Sequence, residues 1–341
     1  MSVWNEFLQQ QGLHQQANHA NYFSNNTQEL TQAMTQCTLA ELTPLGMIKV
    51  SGQNAADFLQ GQLSCDIKQL TATSTLLGTY CNQQGRVIAL FRVFKHNDDH
   101  YLHIQRDIIS VTLAKLQQYA VFSKVTLEDY SDQMISIGLS GMGIESILAD
   151  CFTCLPQKLN ETYLDNDCFI TRVPGHVTRF LLFGNSASIV KHWQKLATNL
   201  SIIAYPGWEL LDIMAGIPSI HPQTQEKFLP HNLNLNQLGA LNFDKGCYLG
   251  QEIIARMHYR GRLKQRMIRL HLETDQMIVP GVTIKDLQDK TMGYIVRSSV
   301  DPKGGTQVLA IMPLEIDSRK CVKIDECTIA LSINDPKESN I

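Results

Sequence analysis

Beyond Leu263 the sequence consists of short β-type runs that recur at regular intervals. Residues that favour turns, among them Gly281, Asp289 and the pair Gly304-Gly305, separate one run from the next. Short strands at even spacing are typical of a small all-β barrel or sandwich, here with about six strands. Residues 261–335 are therefore predicted to form a separate β domain. The runs are MIRLHLET, TIKDL, TMGYIVRSSV, TQVLAIMP, CVKIDE and CTIALSI.

The sequence before this domain mixes helical and strand patterns. Residues 1–40 are rich in Gln, Asn and Thr, and they predict a polar, helical N-terminal lead-in. Within residues 41–260, Asn54–Gln62 has helical spacing, and Leu76–Val93 has the pattern of two strands. The loop Gln83–Arg86 between these strands contains a glycine, which supplies the positive φ of a hairpin turn. An α+β domain pair over residues 41–260, with no clear internal boundary, is expected.

Composition excludes several classes of protein. The 341 residues carry a net charge of -3, so the chain as a whole does not attract nucleic acid or membranes. The start, MSVWNEFLQQ, has no basic region followed by an apolar run, and no apolar stretch is long enough to span a bilayer. Nine cysteines are scattered without a disulfide framework. They are predicted to be reduced thiols in a cytoplasmic protein.

The stretch KGCYLGQE, Lys245 to Glu252, has the pattern of a chemically active loop. A helix is predicted to begin after Gly250, which places Cys247 in the loop just before the helix N-terminus. The partial positive charge of that terminus and the nearby Lys245 both favour thiolate over thiol. Cys247 is therefore predicted to be an accessible, activated thiol. The alternative is that Cys247 is a small buried hydrophobic residue, as most cysteines are.

A dense positive segment follows this loop. From Lys245 to Arg269 there are seven Lys or Arg residues and one acid, Glu252. Such a segment suits an anionic ligand, either a poly-carboxylate tail or RNA phosphates. A solvated helix face followed by a charged edge strand explains it equally well. The residues of the predicted anion or RNA patch are Arg260, Arg262, Lys264 and Arg266.

Other motifs carry little information about chemistry. The single C-x-x-C, Cys151 to Cys154, lacks a second pair or a nearby histidine, and the histidines lack metal-site spacing, so no metal is expected to be held by this chain alone. No phosphate-binding glycine loop occurs. Trp208, in the first turn of a predicted helix, is either a core residue or a stacking surface for a flat heteroaromatic ligand.

The chain resembles the YgfZ family of folate-binding proteins, relatives of the glycine-cleavage aminomethyltransferase. The stretch K-G-C-Y-x-G-Q-E is the most specific part of the resemblance, and looser motifs precede it in the same order. The matching stretches are Phe58–Leu70, Gly78–Phe94, Tyr119–Leu127, Trp208–Pro218, Phe228–Leu235 and Lys245–Arg256.

The resemblance implies an α+β fold of three domains around a central channel, ending in a β-barrel. It implies a tetrahydrofolate or related folate in that channel, bound by Trp208, Leu45, Gln251, Glu252 and Arg256. In this family, some members have a tryptophan where this chain has Leu45.

The resemblance further implies that Cys247 is the working thiol, with Lys245 beside it. The implied partners are iron–sulfur enzymes that thiolate or methylthiolate tRNA. Through tRNA modification, the family is also linked to the regulation of replication initiation.

One departure bears on whether the chain is an enzyme. The aminomethyltransferases carry an acidic pair where this chain has Gly85–Leu90, a stretch without a carboxylate. Aminomethyl transfer needs a general acid or base, so that reaction is not expected here. A folate-dependent one-carbon transferase or demethylase and a direct tRNA-binding module stay as alternatives to the accessory role.

Overall fold

The computed structural model describes residues 2–14, 21–315, 319–325 and 327–333. Part of the predicted lead-in, residues 1 and 15–20, and residues 316–318, 326 and 334–335 of the predicted β domain lie outside them. The helices are α1 (Val3–Gln10), α2 (Asn26–Thr35), α3 (Ala55–Gln62), α4 (Ile109–Ala120), α5 (Ile144–Leu148), α6 (Ser186–Leu196), α7 (Tyr205–Met214) and α8 (Gln251–Arg260).

The strands of the described residues fall into two open sheets and one barrel. They are β1 (Thr38–Glu41), β2 (Leu45–Ser51), β3 (Leu76–Cys81), β4 (Val87–His96), β5 (Asp99–Gln105), β6 (Thr126–Asp129), β7 (Ile135–Ser140), β8 (Thr162–Asp165), β9 (Cys168–Val173), β10 (Arg179–Gly184), β11 (Ser201–Ile203), β12 (Gln265–Leu272), β13 (Thr283–Lys285), β14 (Thr291–Val300), β15 (Thr306–Pro313), β16 (Arg319–Ile324) and β17 (Cys327–Ile333).

The first sheet has five antiparallel strands in the order β3-β4-β5-β2-β6. Strands β3 and β4 form the predicted hairpin, and Gly85 in its loop has a φ of +70°. The predicted turn chemistry is confirmed, because this region of φ is open to glycine and strained for other residues. The apolar side of this sheet packs with Phe58 and Leu59 of α3 and with Leu116 of α4.

The second sheet has six strands in the order β11-β1-β7-β10-β9-β8. Strand β1 pairs parallel with β11 and antiparallel with β7, so a strand from the start of the chain lies inside this sheet. Helix α1 also belongs to this unit, because the rings of Trp4 and Trp193 lie 5.4 Å apart in its core. The N-terminal segment thus contributes both a strand and buried aromatic side chains to the second sheet.

The C-terminal strands form a closed six-stranded barrel in the order β12-β15-β14-β13-β16-β17. Leu270, Ile295 and Val308 are among the fully buried residues that fill it. Full closure leaves no unpaired strand edge. The predicted fold class, mixed helix and sheet followed by a β-barrel, is confirmed. Among the described residues, no helix combines the length and apolarity needed to cross a bilayer.

Helix α7 lies where the second sheet meets the barrel, in contact with β1, β14 and β15. Its N-terminus faces two buried carboxylates. The amide of Ala204 donates to Glu29 Oε2 at 2.7 Å, and the amide of Tyr205 donates to Glu41 Oε1 at 3.2 Å. Burial raises the pKa of Glu41. Negative groups at this end satisfy amides that no helix turn can satisfy, and they fix the position of α7.

Candidate functional site: a clamped thiol loop and an arginine-rich cleft

The loop that carries Cys247 is fixed at its start by Lys245. The ammonium Nζ donates hydrogen bonds of 2.7 Å to each of three backbone carbonyls, those of Gln60, Leu63 and Cys65. These carbonyls lie at and just after the C-terminal end of α3, where helix carbonyls lack partners within the helix. A lysine side chain has three N–H donors, and here all three are used. Lys245 therefore acts as a C-terminal cap for α3.

Lys245 is buried, and this burial affects the pKa of its ammonium group. The side chain is only 8% exposed, and Nζ lies 5.0 Å from the centre of the Tyr248 ring. Burial lowers the pKa of Lys245 to about 8, and the neighbouring Cys65 and Asp66 oppose that shift. The ammonium is thus directed at the end of α3. The influence of this charge on Cys247 stays a prediction.

The other end of the loop is fixed by contact between two glycines. Gly250 precedes α8 with a φ of +81°, and a β carbon there would lie 2.5 Å from the Asn82 carbonyl oxygen and 3.0 Å from Gly85 Cα. A β carbon on Gly85 would lie 3.1 Å from Cβ of Ile253. Helix α8 therefore begins directly against the β3–β4 hairpin loop, and only glycine permits this approach of two backbones.

Cys247 lies between these two anchors and is exposed. Its neighbour Gly246 is exposed as well, and a β carbon at Gly246 would meet nothing within 4 Å. The loop consequently presents a thiol to solvent on a backbone that is fixed on both sides. Helix α8 begins at Gln251, with its N-terminus towards the loop.

A separate cleft lies where the two sheets, α7 and the barrel meet. Its cavity volume is about 120 Å³, and it opens to solvent. Two of the predicted folate contacts, Trp208 and Leu45, are part of its lining. Its polar lining residues were not singled out in the sequence; they include Arg92, His103, Arg179, Asp212 and Arg297.

Two buried arginines share one carboxylate in this cleft. Arg179 Nη2 donates to Asp212 Oδ1 at 2.5 Å, and Arg297 Nη1 donates to Asp212 Oδ2 at 3.1 Å. Arg297 also donates to Glu209 at 3.3 Å and to the Tyr205 hydroxyl at 3.3 Å. Among the described residues that line the cleft, Asp212 is the one carboxylate. Both of its oxygens are engaged by arginine, so it is not placed as a free general base.

Trp208 is covered on more than one side. It is 2% exposed, and the guanidinium carbon of Arg179 lies 4.4 Å from its ring centre. A β carbon on Gly138 would come within 2.4 Å of its six-membered ring, so that ring lies directly against the backbone of β7. Trp208 is thus both a core residue and, at one edge, part of the lining of the cleft.

The remaining polar groups of the cleft differ in charge. Burial lowers the pKa of His103 to about 3, with Arg92 adding to the shift, so His103 is neutral at physiological pH. Arg92 Nη1 donates to Thr75 Oγ1 at 2.8 Å and to Asn160 Oδ1 at 2.7 Å. Burial lowers the pKa of Arg92 to about 10, which leaves it protonated. The positive charge of the cleft therefore comes from its arginines.

The other predicted site residues lie apart from this cleft. Gln251, Glu252 and Arg256 are on α8 and are not part of the lining. Glu252 and Arg256 form an exposed ion pair of 2.7 Å one helix turn apart. The residues of the predicted anion patch follow along the chain: Arg260, Arg262 and Lys264 are exposed, and Arg266 is half-buried at the start of β12.

Metal ligands are not assembled in the part of the chain that the structure describes. It contains no group of three or more His, Cys, Asp or Glu side chains placed to hold a metal ion. The cysteines of the C-x-x-C motif, half-buried Cys151 and exposed Cys154, are unpaired with each other.

Comparison with known proteins places this geometry in a family. A model described as the GCVT N-terminal domain matches residues 4–165. A "tRNA-modifying protein YgfZ" from Colwellia psychrerythraea is 32% identical over 70% of this chain and 72% of its own length. A protein of the same name from Cronobacter sakazakii is 30% identical over 76% of this chain and 78% of its own length.

One solved structure gives the fold. It is the glycine cleavage system aminomethyltransferase T from Bartonella henselae, which superposes with a TM-score of 0.76. The superposition covers 97% of this chain and 95% of the other, at 15% identity. At that identity the likeness concerns the fold alone. The aminomethyltransferase-like arrangement predicted from the sequence is confirmed.

Proposed function

The chain belongs to the YgfZ family, and from that premise we propose that it is a folate-binding accessory protein in the cytoplasm. Its partners are iron–sulfur enzymes that thiolate or methylthiolate tRNA. The observation that carries this proposal is the exposed thiol of Cys247, held on a loop that Lys245 and Gly250 fix at both ends. A loop built in this way presents one reactive group to a partner at low entropic cost.

The arginine-rich cleft is the proposed place of the folate. Its mixed lining, with Leu45 and Trp208 beside hydrogen-bonding arginines, suits a flat heterocycle that carries polar edges. A tetrahydrofolate bound there supplies a carrier for one-carbon units. Gln251, Glu252 and Arg256 lie outside the cleft, so they contact only a ligand long enough to leave it, such as a glutamyl tail.

The proposed role of Cys247 is contact with the client enzyme, and the role of Lys245 is to hold the loop that carries it. The iron–sulfur cluster belongs to the client. The exposed cations Arg260, Arg262 and Lys264 offer a place for a weak contact with tRNA phosphates. An effect on replication initiation follows indirectly, through the modified tRNA.

Two observations favour this accessory role over one-carbon transfer. The stretch Gly85–Leu90 contains no carboxylate, and Asp212, in the cleft, is held by two arginines. A transferase needs a group that can accept or supply a proton at the reacting carbon. The proposal therefore treats the protein as a binder of folate and of a client enzyme.

The test compares Cys247→Ala with Gly246→Ala in cells that lack the wild-type gene. Gly246→Ala is the matched control, since its added β carbon meets nothing within 4 Å. Thiolated and methylthiolated tRNA nucleosides are quantified by mass spectrometry. We expect Cys247→Ala to give the low levels of the deletion strain and Gly246→Ala to restore wild-type levels. Full modification with Cys247→Ala at equal protein abundance would contradict the proposal.

A further inference from the structure

Arg179 is a buried cation whose hydrogen-bonding capacity is only partly used. The side chain is 2% exposed and lines the cleft. Its Nη2 donates to Asp212, but Nε and Nη1 have no hydrogen-bond partner among the residues that the structure describes. Leaving charged donors buried and unpaired carries the full cost of removing them from water. These donors are therefore positioned for an acceptor that comes from outside the chain.

Arg297 provides the contrast within the same cleft. It is as deeply buried as Arg179, yet its Nε, Nη1 and Nη2 all donate to protein acceptors, including Glu209, Asp212 and the Ile217 carbonyl. A buried arginine with such partners serves to hold the structure together. Arg179 differs because its carboxylate partner occupies one nitrogen and leaves two.

The orientation of Arg179 is fixed before any ligand arrives. Trp208 lies against its guanidinium at 4.4 Å, and Asp212 holds its Nη2 at 2.5 Å. A cation that is fixed from two sides loses little side-chain freedom when it binds. The contribution of Trp208 to binding is thus made through Arg179, which it positions.

We propose that Arg179 is the specificity-determining residue of the cleft and that it donates to a carbonyl oxygen on the ring of a flat heterocycle. The proposal rests on the proposed function, in which that heterocycle is the pterin of a folate. Asp212 and Glu209 together balance the charges of Arg179 and Arg297, so a neutral acceptor suits Arg179 better than a further carboxylate. The apolar walls Leu45, Leu77 and Leu181 suit a ring and disfavour a charged tail.

The experiment uses two probes on the full-length protein and measures affinity by calorimetry under reducing conditions. Tetrahydrofolate carries both the ring and the glutamyl carboxylates, and 6-methyltetrahydropterin carries the ring alone. Arg179→Met removes the donors, and Arg179→Lys keeps the charge while removing Nε and Nη1. Arg172→Met is the matched control, because Arg172 lies on the strand next to that of Arg179, is not part of the cleft lining, and donates to the Pro156 carbonyl and to Thr178.

We expect both Arg179 variants to lose about tenfold to 100-fold in affinity for both probes, while Arg172→Met keeps the affinity for both. Circular dichroism confirms folding, and Arg179→Lys decides the question if Arg179→Met does not fold. Unchanged affinity for 6-methyltetrahydropterin in Arg179→Lys would overturn the inference, as would a loss for tetrahydrofolate alone. If wild-type protein binds neither probe, the proposed folate function fails together with the inference.

Discussion

Lys245 and Cys247 are two positions apart in the sequence, but their side chains occupy opposite environments. The lysine is buried with three carbonyl partners, and the thiol is exposed. Within the stretch Lys245 to Glu252, Lys245 therefore stabilises the fold, and Cys247 is accessible to other molecules. A substitution at Lys245 is expected to act first on folding.

Lys245→Met tests this separation. The variant leaves three buried carbonyls without a donor, and each is worth about 1 kcal/mol or more, so the free energy of unfolding should fall by roughly 3 kcal/mol. Lys264→Met, at an exposed position, should change it by less than about 0.5 kcal/mol. Urea denaturation of both variants provides the measurement. Equal stability of the two variants would show that Lys245 does not cap α3.

The thiol loop could be predicted from the sequence, and so could Leu45 and Trp208 in the cleft lining, but the arginine network of the cleft could not. Lys245 to Glu252 is one local stretch, whereas Arg179, Asp212 and Arg297 meet only after the chain has folded. The sequence carries a weak signal for the arginines, since Arg179 begins the otherwise apolar strand β10 and Arg297 follows an apolar run within β14. A lone cation in an apolar strand indicates a buried charge, but it does not identify the partner.

At the scale of elements, the entry to α8 depends on the contact between Gly250 and the β3–β4 hairpin loop. The atoms nearest to a β carbon at Gly250 belong to the backbone of Asn82 and Gly85, which cannot move aside as a side chain would. The hairpin thus sets the position of α8. The hairpin and α8 together fix the C-terminal end of the loop that carries Cys247.

Gly250→Ala should therefore lower the free energy of unfolding by more than the strain of a left-handed φ alone would. Gly239 offers the control, because it has a similar φ of +71° with nothing within 4 Å of an added β carbon. We expect Gly239→Ala to lose about 1–2 kcal/mol of unfolding free energy from the left-handed φ. Gly250→Ala should lose at least about 1 kcal/mol more, from the clash with the hairpin. A matching loss in both variants, measured in urea, would exclude a contribution from the hairpin contact.

The β3–β4 hairpin could be predicted from its turn residues. The order of strands in the second sheet could not, because its parallel partners β1 and β11 are far apart in the sequence. The loop Gln83–Arg86 is marked by its glycine, so β3 and β4 were expected to pair. Nothing near Thr38 indicates that it pairs with Ser201. Parallel partners have no connecting turn to mark them, so their pairing follows only from the packing of the whole unit.

At the scale of the whole molecule, Asp212 joins three units. It lies on α7, while Arg179 comes from the second sheet and Arg297 from β14 of the barrel. Arg297 also contacts Glu209 and Tyr205 on the same helix. The barrel is thereby fixed to the rest of the protein by a buried charge network.

Arg297→Met should loosen the barrel from α7. The change removes the arginine that donates to Glu209 and one of the two arginines that donate to Asp212, at a cost of about 3–5 kcal/mol. Hydrogen exchange should show the amides of β14 and β15 losing protection ahead of those in the five-stranded sheet. Lys323→Met, which breaks an exposed ion pair with Asp289 in the same barrel, should leave exchange nearly unchanged. Uniform loss of protection across all three sheets would show that Arg297 does not act on the barrel in particular.

The position of β1 also determines the order in which a nascent chain can fold. Every strand of the five-stranded sheet has left the ribosome once Asp129 has emerged. Strand β1 finds its antiparallel neighbour soon afterwards, in β7, but its parallel neighbour β11 ends only at Ile203. Until then one edge of Thr38–Glu41 stays open on a partly made protein. Chaperone binding during translation is therefore expected to concentrate on this interval of synthesis.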